Sequence, residues 1–184
     1  MMKVEKTINI NGSLLNLSTP LVMGILNVTP NSFYSESRKQ SDEEIVNRCR
    51  VILDEGGTII DVGAQSSSPT SKFLSAKEEW ERLMPALRLI RNEFPDTIIS
   101  IDTFYADVAK EAVEVYGANI INDISGGEID KRMFNVVAEL NVPYILMHMR
   151  GVPQTMQYMT NYDNFIQDIL YYFTEKRAKL SLLG

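Results

Sequence analysis

The stretch TIISIDTFYADVAKEAVEVYGANIINDISGG, residues 97–127, contains two short apolar runs separated by a segment with a helical repeat of apolar residues. The runs, 97–102 and 119–124, do not alternate apolar with polar positions, which is typical of strands buried on both faces of a parallel sheet. Between them, apolar residues recur every three or four positions, which predicts an amphipathic helix capped by Thr103. This stretch therefore predicts one β-α-β unit.

The same alternation continues on both sides of this unit. Other apolar runs of the same kind cover residues 21–28, 58–63 and 143–149. Helical segments lie between the runs, and two of them begin with capping-box signatures, Ser41 with Glu44 and Ser75 with Glu78. The charged run at 77–79 is typical of a solvated helix face. The chain as a whole predicts an α/β fold with five parallel strands.

The N-terminal segment TINI-NG-SLLNL, residues 7–17, has a different pattern. Asn11 and Gly12 separate two short runs, and Asn-Gly is the strongest short-range signal for a type I′ hairpin. We expect this hairpin to cover one end of the sheet. The 184 residues are enough for one hydrophobic core, so we predict a single domain, with the hairpin in residues 1–18 and the sheet in residues 19–184.

The composition of the chain limits the kinds of ligand and the cellular locations that we expect for the protein. The chain is 45% hydrophobic and 23% charged, and its formal net charge of -6 argues against nucleic-acid phosphates as a partner. No apolar run approaches the roughly 18 residues that cross a bilayer, and the N-terminus lacks the apolar core of a secretory signal. We therefore expect a cytoplasmic protein that binds a small molecule and neither nucleic acid nor a membrane.

Polar residues follow or end the predicted strands. They are Asn27, Asp61, Asp102, Asn122, Asp123 and His148. Both architectures that fit the pattern, an open doubly wound sheet and a (β/α) barrel, bind ligands at this edge of the sheet. The sequence holds no dinucleotide fingerprint, P-loop, nucleophilic triad or protein-built metal cage. Carboxylates and amides in a pocket suit a flat nitrogen-rich ring, with Asp102 and Asn122 at its edge and Met147 beside its face.

Two residues at this edge have further chemical roles to consider. Asn27 is able to supply one oxygen to a Mg²⁺ ion that otherwise keeps waters and phosphate ligands. His148 has two open interpretations, a hydrogen-bonded wall of the pocket or a catalytic group. Backbone N–H groups and hydroxyls within residues 63–71 are also suited to binding an anion.

Five motifs in this order resemble the dihydropteroate synthase family, whose members are pterin-binding (β/α)8 barrels of folate biosynthesis. The motifs are MGILNVTPNSF (23–33), IIDVGAQSSSP (59–69), SIDT (100–103), INDISGG (121–127) and MHMRGVPQTMQ (147–157). The resemblance implies a transferase that condenses 6-hydroxymethyl-7,8-dihydropterin diphosphate with 4-aminobenzoate, which yields 7,8-dihydropteroate and diphosphate. It also implies Mg²⁺ as a cofactor and a TIM-barrel fold.

The resemblance also implies a role for particular residues. Asn27 is the implied ligand of Mg²⁺ and diphosphate, Asp102 and Asn122 hold the pterin ring, and Met147 forms its apolar wall. Ser67 stands where the family usually has a threonine that contacts the pterin diphosphate. The residues expected to close over the aminobenzoate are Thr29, Pro30, Phe33, Ser67 and Pro69.

Two departures from the family pattern concern charge and length. Asn31 replaces a common aspartate, and Ser68-Pro69-Thr70 replaces Arg-Pro-Gly, so each of the first two loops loses a charge. The chain matches about five of the family's eight β/α units, so we expect a truncated barrel, a fragment of a longer gene product. Five strands of a closed barrel would leave two unpaired edges. The resemblance implies a possible homodimer for the full-length protein.

Two alternatives stay open at this stage. The first is a non-catalytic pterin-binding fragment, or a module that another chain completes. The second is a pterin-dependent methyltransferase on the same barrel, which shares Asp and Asn at the strand ends but has no reason to keep LNVTPxSF. Product formation from pterin diphosphate and labelled aminobenzoate separates the synthase from both.

Overall fold

A computed structural model of the chain describes residues 6–28, 38–65 and 73–184. Its strands are β1 (Thr7–Ile10), β2 (Ser13–Asn16), β3 (Met23–Asn27), β4 (Ile59–Gly63), β5 (Ile98–Asp102), β6 (Ile120–Asp123) and β7 (Tyr144–Leu146). Its α-helices are α1 (Arg38–Asp54), α2 (Ala76–Glu93), α3 (Ala106–Tyr116), α4 (Met133–Leu140) and α5 (Phe165–Ser181), and a 3-10 turn covers Met156–Tyr158. None of these helices is long and apolar enough to cross a membrane.

The five parallel strands lie in the sheet in the same order as in the chain, from β3 to β7. A doubly wound sheet reverses its order at a switch point, whereas a (β/α) barrel adds each strand beside the previous one. The consecutive order therefore favours the barrel over the open alternative. The predicted α/β class, with five strands of a (β/α) barrel, is confirmed, and β3 and β7 are the two edges of the described sheet.

The main hydrophobic core lies between the sheet and the helices. The strands contribute Leu26, Ile60, Val62, Ile99, Ile101 and Ile121. Helix α2 contributes Leu83, Ala86, Leu87 and Ile90 at helical spacing, and all four are buried. Burial of one such large apolar side chain stabilises the fold by about 1.5–3 kcal/mol. Because side chains alternate along a strand, the residues between these core positions face the opposite, concave side of the sheet.

The N-terminal hairpin closes the amino-terminal end of this concave side. Asn11 (φ 49°) and Gly12 (φ 86°) both adopt the positive φ of a type I′ turn, which confirms the predicted hairpin. A second apolar cluster joins the hairpin to the first residues of the strands. Its members are Ile8, Ile10, Leu15, Met23, Ile59, Ile98 and Ile120. The hairpin therefore covers one end of the sheet, as predicted.

One of the three predicted helix caps is correct. The Ser75 hydroxyl accepts a hydrogen bond from the Glu78 N–H, and the Glu78 side chain accepts one from the Ser75 N–H, as a capping box requires. The Ser41 prediction is wrong because α1 already begins at Arg38. The Thr103 prediction is also wrong: Thr103 accepts from the Tyr105 N–H instead, and α3 begins only at Ala106.

The true partner at the start of α3 comes from a distant part of the chain. The Ala106 N–H donates to Asp130 Oδ2 over 3.0 Å. Asp130 lies 24 residues further along, before α4, and it also pairs with Arg132. A search for local capping motifs in the sequence cannot find such a partner, because the two residues meet only in the folded chain.

Candidate functional site

Strand register places the predicted ligand-binding residues in one row across the concave face. From one edge of the sheet to the other, the row consists of Asn27, Gly63, Asp102, Asn122 and Ile145. A second row lies one pleat below it and consists of Ile25, Asp61, Ser100 and Ile120. The sequence predicted that Asn27, Asp102 and Asn122 end their strands, and the register confirms that they are neighbours at the same level.

Asp61 fixes the orientation of the Asn122 amide. The Asn122 Nδ2 donates to Asp61 Oδ2 over 3.0 Å and reaches across β5 to do so. A carboxylate only accepts hydrogen bonds, so this contact assigns the amide nitrogen to the Asp61 side and leaves Asn122 Oδ1 as the free acceptor. Asp61 is only 5% exposed, and its Oδ1 has no hydrogen-bond partner among the described residues.

Asp102 lies beside this pair and makes no hydrogen bond within the described part of the chain. Burial, with smaller contributions from the nearby charges of Asp61 and Asp123, raises the pKa of Asp102 to about 7. Its neighbour in the row is Gly63, and a Cβ at that position would lie 3.1 Å from the Asp102 Cβ and 3.2 Å from its Oδ2. Because Gly63 has no side chain, there is room beside it for the Asp102 carboxylate.

Asp123 does not line the concave face, although it ends the same strand as Asn122. It is fully buried, and its oxygens accept hydrogen bonds from the Ser125 N–H, the Gly127 N–H and the Tyr144 hydroxyl over 2.7–2.9 Å. Because side chains alternate along β6, Asn122 faces the concave side and Asp123 the opposite side. Asp123 therefore shapes the turn that follows the strand.

Met147 and His148 follow β7 at the far edge of the row. The Met147 carbonyl accepts a hydrogen bond from the Tyr172 hydroxyl over 3.2 Å, which ties this segment to α5. The His148 ring lies among aromatic rings of the same region, with centroids 4.8 Å from Tyr172 and 6.0 Å from Tyr162. Of the two interpretations of His148, these contacts favour a packed wall over a catalytic group.

Glu79 was not expected at this site, because the charged run around it predicted a solvated helix face. That prediction is wrong for Glu79, which is 0% exposed. Burial, with a smaller contribution from the Asp102 charge, raises its pKa to about 7, and the nearby side chains of Thr103 and Gln65 oppose that rise. A signal was present in the sequence, since Glu79 lies in phase with the buried positions Leu83 and Ala86 of α2.

Several predicted residues lie outside the described ranges. They are Thr29, Pro30, Asn31, Phe33, Ser67, Ser68, Pro69 and Thr70.

Asn27 is described, and its exposed side chain makes no hydrogen bond to the rest of the described chain. Within those ranges, no group of three or more His, Cys, Asp or Glu side chains is able to hold a metal ion. A single amide oxygen still fits Mg²⁺, because this ion takes most of its ligands from water and substrate phosphates.

A family model and a curated relative both match this chain. The family model described as "Pterin binding enzyme" matches residues 23–184. The mitochondrial folate synthesis bifunctional protein of Pisum sativum is 51% identical over 153 residues, which are 81% of this chain and 30% of the pea protein.

Solved structures agree with this match. Dihydropteroate synthase from Yersinia pestis superposes with a TM-score of 0.84 at 33% identity, over 97% of this chain and 64% of that one. Dihydropteroate synthase from Clostridium difficile, solved in the presence of pteroic acid, superposes with a TM-score of 0.79 at 32% identity, over 89% and 59%. The chain thus spans between about a third and two thirds of the length of these three proteins.

Proposed function

The chain belongs to the pterin-binding enzyme family, and we propose that the protein containing it is a dihydropteroate synthase. The proposed reaction joins 6-hydroxymethyl-7,8-dihydropterin diphosphate to 4-aminobenzoate in folate biosynthesis. The observation that carries the proposal is the row of Asn27, Gly63, Asp102 and Asn122 at the carboxyl ends of adjacent strands. Barrel enzymes place their active sites at this end of the strands.

Ring recognition follows from the acceptors in this row. The Asp102 carboxylate accepts hydrogen bonds, and Asn122 presents Oδ1 because Asp61 occupies its nitrogen. Two neighbouring acceptors select a ligand edge with two neighbouring N–H donors, as in the ring amide and amino group of a pterin. Donation from the ring stabilises the ionised form of Asp102, so ligand binding should lower the pKa that burial raises.

The diphosphate end of the substrate would lie toward β3. Asn27 ends that strand, and its exposed amide is free to contribute one oxygen to Mg²⁺. When bound, Mg²⁺ neutralises part of the charge that develops on the departing diphosphate. We propose the same neighbourhood for Ser67, with the loop residues Thr29, Pro30, Phe33 and Pro69 covering the aminobenzoate.

The proposed chemistry needs no protein nucleophile. The amine of 4-aminobenzoate forms a bond to the pterin methylene carbon, the carbon–oxygen bond to diphosphate breaks, and the amine nitrogen loses a proton. Cys49 is buried in the core, where burial raises its pKa to about 11, and His148 is packed among rings. Asp102 and Asn122 therefore act by holding the ring so that its methylene carbon points toward the diphosphate side of the row.

We further propose that residues 1–184 belong to one domain that uses small-molecule substrates, and that the full-length protein is a cytoplasmic homodimer. The Clostridium relative was solved in the presence of pteroic acid, and this compound joins a pterin to aminobenzoate. That chemistry supports a synthase over a pterin-dependent methyltransferase.

The test is turnover by the full-length protein with pterin diphosphate, Mg²⁺ and labelled 4-aminobenzoate. We expect labelled dihydropteroate with the wild-type protein and at least 100-fold less with Asp102→Asn, because a charge-assisted hydrogen bond is replaced by a mismatched amide. Binding of the pterin ring without product would favour the non-catalytic module instead. Methyl transfer from a methylated folate would favour the methyltransferase.

A further inference from the structure

Tyr172 of α5 places its hydroxyl against the backbone of the segment that follows β7. The hydroxyl donates to the Met147 carbonyl over 3.2 Å. Tyr172 is half-buried, whereas the adjacent Tyr171 is 65% exposed. The proposed reaction gives Tyr172 no role, yet its hydroxyl binds the residue that is expected to form the apolar wall of the ring site.

The backbone of Met147 continues the sheet beyond the end of β7. Its N–H donates to the Asp123 carbonyl over 3.5 Å, one residue after Leu146 pairs with Asp123. Because side chains alternate along a strand, Met147 is in phase with Ile145, which lies in the row of the concave face. The hydrogen bond from Tyr172 is the shorter of these two bonds to the Met147 backbone, so α5 contributes strongly to the position of this segment.

The turn after β6 leaves room for the Tyr172 hydroxyl. Gly126 has a φ of 58°, and a Cβ at this position would overlap Tyr172 Oη and lie 2.9 Å from Leu146 Cδ1. It would also lie 3.2 Å from the Met147 carbonyl oxygen. Because Gly126 has no side chain, the turn, α5 and the end of β7 are able to approach one another closely. This approach gives a physical reason for the first of the two glycines that end the motif INDISGG.

The ring of Tyr172 is held by a buried cation and by a second ring. Lys176 lies one helical turn after Tyr172, is 5% exposed and forms an ion pair with Glu128 of the segment after β6. The Lys176 Nζ lies 5.3 Å from the centroid of the Tyr172 ring, as in a cation–π contact. The His148 ring contacts the Tyr172 ring edge-on, with centroids 4.8 Å apart. These contacts restrict the Tyr172 side chain, so its hydroxyl is directed at the Met147 carbonyl before any ligand binds.

We propose that Tyr172 is a positioning residue whose hydroxyl fixes the Met147 segment, so that the Met147 side chain covers a face of the bound ring. The inference rests on the proposed function, because it takes Met147 as the apolar wall of the ring site. Tyr172 itself touches no substrate. Without the hydroxyl, the segment has to be ordered when the ring binds, and this cost should weaken ring binding.

Two matched variants of the full-length protein test the proposal. Tyr172→Phe removes the hydroxyl and keeps the ring, so the fold should persist, and Tyr171→Phe makes the same change at the exposed neighbour on the same helix. We expect Tyr172→Phe to bind 6-hydroxymethyl-7,8-dihydropterin about fivefold more weakly, which corresponds to the net contribution of one hydrogen bond. Tyr171→Phe should bind it like the wild type. Wild-type affinity in Tyr172→Phe would overturn the proposal.

A double-mutant cycle with Met147→Ala shows whether Tyr172 acts through the Met147 side chain. Alanine at position 147 removes the proposed wall but keeps the carbonyl that Tyr172 binds. In this background, Tyr172→Phe should cause no further loss of ring affinity, because the side chain that it positions is already absent. Additive losses would overturn the proposal, since a general structural defect would act in either background.

Amide hydrogen exchange without ligand separates this proposal from the proposed function. The Met147 N–H should exchange about fivefold faster in Tyr172→Phe than in the wild type, while the amides of α2 should be unchanged. Unchanged exchange at Met147 would overturn the proposal. Faster exchange in a protein whose wild type binds no pterin would support the positioning of Met147 by Tyr172 and overturn the proposed function.

Discussion

The five parallel strands have different chemistry at their two ends. At the amino-terminal end, the hairpin packs on apolar strand residues, and the nearby polar side chains of Arg91 and Asn119 have hydrogen-bond partners. Toward the carboxyl-terminal end, three buried side-chain atoms lack a partner within the described residues. They are Asp61 Oδ1, Ser100 Oγ and Glu79 Oε1. The named polar side chains at the amino-terminal end are therefore hydrogen-bonded within the fold. Toward the carboxyl-terminal end, three buried polar atoms have hydrogen-bonding capacity that the described residues do not use.

Arg91 illustrates the completed end. Its guanidinium donates over 2.8–3.0 Å to the carbonyls of Pro95, Thr97, Tyr116 and Gly117. Four of its five N–H groups are thus directed at backbone acceptors at and just after the ends of α2 and α3. Most donors of this cation are therefore engaged by the backbone, so its main role is to stabilise the fold.

The comparison predicts that a change at the carboxyl-terminal end acts on binding, and Asp102 should show the largest effect. We expect Asp102→Asn to weaken binding of 6-hydroxymethyl-7,8-dihydropterin by about 100-fold, because the new amide presents a donor to a donor. Isothermal titration calorimetry on the full-length protein measures this effect. Affinity within about threefold of the wild type would show that Asp102 does not hold the ring.

At the opposite end, the same comparison predicts loss of stability without loss of binding. Ile10 is 7% exposed in the apolar cluster beneath the sheet. Ile10→Ala should lower the free energy of unfolding by about 2–3 kcal/mol and leave ring affinity unchanged. Leu14→Ala is the matched control, since Leu14 is 71% exposed on the same hairpin and should cost less than about 0.5 kcal/mol. A loss of ring affinity in Ile10→Ala would contradict the claim that the amino-terminal end stabilises the fold and only the carboxyl-terminal end binds the ring.

Carboxyl groups toward the carboxyl-terminal end should also make the free energy of unfolding depend on pH. Folding raises the pKa of both Asp102 and Glu79 to about 7. The folded state therefore binds more protons than the unfolded state between about pH 4 and pH 7, and the free energy of unfolding falls as the pH rises through this window. Asp102→Asn should flatten that fall and be more stable than the wild type at pH 8, by about 4 kcal/mol.

Urea denaturation at several pH values between 4 and 8 checks this expectation. The Ile10→Ala variant serves as the control, because it should shift the whole curve without changing its slope. An Asp102→Asn curve parallel to the wild-type curve would mean that Asp102 titrates alike in the folded and unfolded states.

The smallest expected effect concerns Gly63. A Cβ at this position would press on the Asp102 side chain at 3.1–3.2 Å, so the carboxylate must shift by a few tenths of an ångström. We expect Gly63→Ala to weaken ring binding by about 10-fold and to change stability by less than about 1 kcal/mol. Calorimetry and urea denaturation on the same preparation measure both quantities. A large loss of stability with normal binding would place the role of Gly63 in the core instead.

Much of this arrangement was predictable from sequence, because it depends on local patterns. The apolar runs predicted five strands, Asn-Gly predicted the hairpin, and the strand ends predicted Asn27, Asp102 and Asn122 as neighbours. The period of two along β6 also contained the information that Asn122 and Asp123 face opposite sides.

What the sequence missed depends on contacts between distant residues. The cap of α3 comes from Asp130, which no local motif includes. Glu79 is buried because Gln65 and Thr103 meet it from two other elements, although Glu78 beside it on the helix is exposed. The predictions for Thr29, Pro30, Phe33, Ser67 and Pro69 lie outside the described residues and stay predictions.

The most direct test of the account is a crystal structure of the full-length protein with a bound pterin. We expect the ring N–H donors within hydrogen-bond distance of the Asp102 carboxylate and Asn122 Oδ1, the Asn122 nitrogen still on Asp61, and Met147 against a face of the ring. A ring bound at the amino-terminal end, between the hairpin and Arg91, would contradict the account. So would a ring at the carboxyl-terminal end that touches neither Asp102 nor Asn122.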